Sequence, residues 1–71
     1  MDINNKPFAA LRDLIVARYQ TFDKFATAMG FTRVTLSYKL TGKTQWRQKD
    51  IIKACELLNI KDNEIYHYFL Q

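Results

Sequence analysis

Apolar positions recur along this chain with the period of an amphipathic helix, at i, i+3, i+4 and i+7. Phe8, Leu11, Leu14 and Ile15 form a first stripe, with Arg12, Asp13 and Arg18 on the outer side. Asn4 or Asn5 can cap this helix, Pro7 fits its first turn because that N–H has no helical partner, and Tyr19 is expected to pack on the next helix. Phe22, Phe25, Ala26 and Met29 form a second stripe behind Thr21, a natural N-cap. Gly30 follows at once and can take the left-handed conformation that ends a helix. Thr32 then caps a third helix at about 33–41, where Leu36 and Leu40 lie one turn apart and Gly42 closes. Phe31, an apolar residue in the turn, is expected to be buried and to hold the two helices at a fixed angle. After a loop from Lys43 to Arg47, a fourth helix runs from Gln48 to Leu58 through Ile51, Ile52, Ala54, Cys55 and Leu58. Asn59 stops it and Ile60 turns inward. Asp62 caps a fifth helix with Glu64 in its positive first turn and Ile65, Tyr68 and Phe69 inward. The pattern predicts an all-α, compact five-helix domain over residues 1–71, without strands, repeats or an internal linker.

Two short helices joined by a tight turn, at about 21–42, make a helix-turn-helix, whose second helix can enter a DNA major groove. The residues sharpen this reading. Ala26-x-x-x-Gly30-Phe31-Thr32-Arg33-Val34-Thr35-Leu36, followed by Gly42-Lys43, resembles the helix-turn-helix of the phage Cro and repressor family, the lambda repressor-like DNA-binding domains. The likeness extends over Phe8 to Phe69. Members carry Ala in the first of the two helices, Gly four residues later, an apolar turn residue, a Ser or Thr cap and a Gly-Lys pair after the recognition helix. Two departures stand out. The family usually has Gln where Phe22 stands, and that Gln binds a phosphate and braces the recognition helix, which Phe22 cannot do. Lys39 and Leu40 are shifted against the usual order of an aliphatic then a polar residue.

Charge changes the picture more than composition does. Hydrophobic residues at 48% with 25% charged exclude a disordered tail, and 71 residues allow one small domain of marginal stability that dimerisation could reinforce. The net charge is +4, and from Arg33 to Lys49 the charged residues are Arg33, Lys39, Lys43, Arg47 and Lys49, with no acid among them. Such a run suits a phosphate backbone, although it also fits a solvated basic surface. No apolar run reaches the roughly 18 residues of a membrane span, and the N-terminus lacks a signal-peptide core, so a cytoplasmic protein of a bacterial host cell is expected.

Enzyme chemistry finds no foothold. His67 is the single histidine and Cys55 the single cysteine, too few for a zinc site, and the two glycines are too far apart for a phosphate loop. No metal or cofactor is expected. Cys55 reads as a small apolar core residue rather than a reactive thiol. Trp46 has two readings, packing near Asp50 or Ile51 at the start of the fourth helix, or exposure toward a partner.

The resemblance implies a contact set. Arg33 would fork onto guanine, Val34 would touch a thymine methyl, and Ser37 or Tyr38 would reach a base edge or phosphate. Tyr38 could equally pack along its own helix. Thr32, Thr41, Lys43 and Arg47 would hold phosphates. Two functions follow. One is a Cro-like transcriptional regulator that binds double-stranded operator DNA as a homodimer, since one helix-turn-helix reads few base pairs. The alternative is an antirepressor that keeps the fold and docks on a phage repressor protein. Arg33 and the basic run favour the first; Phe22, Trp46 and the tyrosines favour the second. The apolar chain end, YHYFLQ, suits pairing with a second copy or another protein.

Overall fold

The structure, a computed structural model, describes residues 7–69. Among these it is all-α, with α1 (Ala9–Tyr19), α2 (Phe22–Met29), α3 (Arg33–Thr41), α4 (Gln48–Leu58), a 3-10 turn (Asp62–Glu64) and α5 (Ile65–Phe69). α2 packs on α1, α3 and α4, and α1 also meets α4 and α5. Their shared centre is Leu11, Ile15, Phe25, Leu36, Ala54 and Leu58, all sealed from solvent. Phe25 is the largest of these, and Tyr19 meets it edge-on at 5.2 Å, which joins α1 to α2 as expected.

Helix ends follow local chemistry. The Thr21 side chain accepts the Lys24 amide at 3.2 Å and the Thr32 side chain accepts that of Thr35 at 3.1 Å, so each threonine satisfies a donor that its helix leaves open. Gly30 and Gly42 take φ of 80° and 81°, and Asn59 takes 56°. In each case the next residue's amide reaches back to the last turn: Phe31 to Ala26 at 2.8 Å, Lys43 to Tyr38 at 2.9 Å, and Ile60 to Cys55 at 2.9 Å. This is the Schellman closure, and it turns Ile60 into the core.

Several expectations need correction. Asn4 and Asn5 lie outside the described residues; α1 starts at Ala9 behind Phe8, whose φ is 55°. Arg12, expected on the outer side, is half-buried and donates to the carbonyls of Pro7 at 2.9 Å and Leu40 at 2.8 Å, which pins α1 to the last turn of α3. Ile52 is 53% exposed, because α4 turns its inner face through Ala54 and Leu58 instead. Phe31 is half-buried rather than buried, as is Cys55, whose thiol is pushed up first by burial and then by the charge of Asp62. The residue before the fifth helical segment is Lys61, not Asp62; its amide is accepted by Glu64 at 3.2 Å. Trp46 packs, lining clefts with Asp50 and Ile51, and it also meets Phe8 at 6.3 Å and Phe69 at 5.1 Å, both edge-on, so it joins the loop to the start of α1 and to α5 as well.

Candidate interaction face on α3

The turn at 30–32 sets α3 beside α2 with one side buried through Leu36, Lys39 and Leu40. Helical spacing then puts Arg33, Val34, Ser37, Tyr38 and Thr41 together on the outer side, and all five are exposed. Val34 is 57% exposed and Tyr38 40%, one turn apart. Beside them a small cleft of about 110 Å³ opens among Arg12, Phe22, Arg33, Ser37 and Thr41. Phe22 gives this cleft an apolar wall.

The polar groups on this face are largely engaged within the chain. Arg33 Nη1 lies 3.0 Å from Asp23 Oδ1, and its guanidinium carbon stands 5.8 Å from the centre of the Phe22 ring. Thr32 is occupied as a cap and also donates to Thr35 Oγ1 at 3.0 Å. The Thr41 hydroxyl donates to the Tyr38 carbonyl at 3.2 Å. Lys43 Nζ sits over the Tyr38 ring at 4.7 Å, a cation–π contact that leaves the tyrosine exposed but no longer bare.

Lys39 leaves the basic run. It is buried against Asp50 at 3.1 Å, donates to the Gln45 carbonyl at 2.9 Å, and lies over the rings of Phe31 and Trp46 at 5.4 and 5.9 Å. Asp50 in turn accepts the Arg47 amide at 3.2 Å and so caps α4. Burial, the largest influence on Asp50, would raise its pKa. The hydrogen bonds from Lys39 and the Arg47 amide, with the charges of Lys39 and Lys49, outweigh it and hold the carboxyl below its ordinary value. Arg47 lines a separate cleft of about 580 Å³ with Phe31, Thr35, Lys39, Trp46 and Asp50. Lys43, Arg47 and Lys49 are the members of the run that remain exposed outside any ion pair among the described residues.

Asp23, Asp50 and Arg12 were thus missing from the sequence-based site, although each fixes a group that was in it or beside it. The legible signal was Lys39 itself, which stands at the inward spacing between Leu36 and Leu40 and so requires an acid nearby. Among the described residues no group of three or more His, Cys, Asp or Glu is placed to hold a metal ion, and no helix is long and apolar enough to cross a membrane.

A family model, DUF739, described as a protein of unknown function, matches residues 6–71. The chain belongs to this family. No curated protein matches it. The DUF739 chain is similar to a solved protein, the modulator of repression (MOR) of the temperate bacteriophage TP901-1 from Lactococcus lactis, determined in solution. Identity is 30% and the TM-score 0.82, with 99% of this chain and 95% of that one covered. The likeness therefore spans the whole helical domain, α3 face included.

Proposed function

We propose that this DUF739 chain is an antirepressor: a lambda repressor-like helix-turn-helix module that docks the outer face of α3 on a phage repressor protein. The observation that carries this reading is the make-up of that face. Val34 and Tyr38 are exposed and apolar or aromatic, Ser37 and Thr41 are neutral, and the one guanidinium is tied to Asp23. Protein interfaces favour such a core of aromatic and aliphatic groups with charges at the rim. Likeness to a modulator of repression supports the same assignment. On this reading the chain is a binding module inside a bacterial host cell, with no reaction to catalyse.

A second reading, a Cro-type homodimer on operator DNA, is favoured by Lys43, Arg47 and Lys49, which stand exposed after α3. The two separate in one experiment. Titration calorimetry against the repressor encoded beside its own gene, with a gel shift on DNA from the same region, should give a saturable protein complex and only weak, sequence-independent retardation. Tight retardation of one DNA segment, without any repressor complex, would overturn the antirepressor reading.

A further inference from the structure

Arg33 and Asp23 stand on the facing first turns of α3 and α2. Their contact is 3.0 Å, and the Phe22 ring lies beneath the guanidinium at 5.8 Å, so both partners of Arg33 come from the first two residues of α2. Asp23 is well placed in its own right, because the first turn of a helix carries the positive end of its dipole. The pair is exposed, Arg33 at 57% and Asp23 at 67%, so water competes for it and it adds little to stability. Its consequence lies in recognition. In a helix-turn-helix on DNA the N-terminal residues of the second helix reach base edges while the first helix crosses the phosphate backbone. Docked in that way, the Asp23 carboxylate would face phosphates, and an arginine already bonded to a carboxylate would have to release it before forking onto a guanine.

We infer that Asp23 is a specificity-determining residue, which withholds Arg33 from nucleic acid and so reserves the α3 face for a protein partner. Repulsive groups set against the wrong ligand are a recurrent source of specificity. The inference rests on the antirepressor reading for what the face does bind, whereas the withholding of Arg33 is measured separately.

The test uses four full-length chains: the parent, Asp23→Asn, Arg33→Ala and the double variant. Each is titrated against a labelled random-sequence duplex about two helical turns long, at low salt, with fluorescence anisotropy as readout. Asp23→Asn should tighten binding about five-fold when Arg33 is present, and at most about two-fold when Arg33 is already Ala, because only the first case liberates a guanidinium. Equal gains on both backgrounds would reduce Asp23 to a general repulsive charge and overturn the inference, as would no gain on either. Helical circular dichroism checks that all four fold. Capture of the repressor by the parent is measured alongside: its failure overturns the antirepressor reading, while the two-background comparison still decides whether Asp23 restrains Arg33.

Discussion

Lys39 Nζ lies 3.1 Å from Asp50 Oδ2, with only 9% and 10% of the two side chains open to solvent, and this ion pair ties α3 to the first turn of α4. Both charges are further satisfied, Lys39 by the Gln45 carbonyl and Asp50 by the Arg47 amide. A buried pair of this kind adds modest net stability but is costly to break from one side, because the remaining charge is left in a poorly solvated place.

A thermodynamic cycle should expose this. Lys39→Met and Asp50→Asn are each expected to cost about 2–3 kcal/mol, slightly below the usual cost of breaking a fully buried pair because a cleft borders both groups. The double variant should cost less than the sum by at least about 1 kcal/mol, a coupling typical of directly bonded partners. Urea unfolding of the four chains measures it, and simple additivity would mean the pair does not act as a unit.

Acid should act through the same carboxylate. The Asp50 pKa is lowered in the fold, so its charged form stabilises the protein above the ordinary carboxylate value. That contribution is lost as pH falls through the lower folded value. Melting temperature should therefore drop as pH is taken below about 4. In Asp50→Asn the drop should be shallower, from a lower starting point. Parallel curves for the two chains would exclude Asp50 as a source of acid sensitivity.

These two residues also mark where the sequence could be read and where it could not. Local rules sufficed for α3: Thr32 as cap, Gly42 as closure and the bounds Arg33–Thr41 all follow from neighbouring residues, and the structure agrees. The same holds for α2, with its Thr21 cap and Gly30 closure, whereas in α4 the bounds and the Asn59 stop were local but the inward stripe wrongly took in Ile52. Phe8 and Arg12 were harder, because α1 starts on a left-handed residue beside Trp46, and Arg12 bonds Leu40 across 28 residues. Charge was hardest of all. A count of basic residues sees five between Arg33 and Lys49, yet Arg33 and Lys39 are matched by acids that lie outside that run, at Asp23 and Asp50. Periodicity reports which side of a helix faces inward; it does not report which distant carboxylate will meet a given cation.

Gly30 offers a test of the turn between α2 and α3. Its φ is 80°, and a Cβ built there would approach nothing nearer than Lys53 Nζ at 4.0 Å. Gly30→Ala should thus carry backbone strain without a clash, about 1 kcal/mol, equivalent to a fall of roughly 4–8 °C in the melting temperature of a domain this size. Gly30→Asn should cost less, since Asn tolerates the left-handed region, and Gly30→Val should cost more. Melts of the three chains check the order; a Val variant as stable as Asn would mean that the turn relaxes into another conformation.

The α3 face yields the prediction that separates its two readings on one residue. Val34 is 57% exposed at the second position of α3, with Tyr38 a turn further along, so substitution there leaves the core untouched. Val34→Lys is the informative change. A cation near a helix N-terminus costs about 0.3–1 kcal/mol, too little to unfold the domain. If the face docks on a repressor, the ammonium enters an interface centre with no counter-charge, and binding should weaken at least about 30-fold, or roughly 2 kcal/mol. Tyr38→Ala should weaken it similarly by removing an aromatic anchor. On DNA the same lysine would act in the opposite sense, adding a phosphate contact. Sequence-independent affinity should rise, and the slope of log K against log salt should steepen by about 0.9. Calorimetry with the repressor and anisotropy with duplex DNA at several salt concentrations measure both. Repressor binding unchanged by Val34→Lys and by Tyr38→Ala would remove this face from the protein interface and transfer the role to the basic surface of Lys43 and Arg47 in the loop and Lys49 in the first turn of α4.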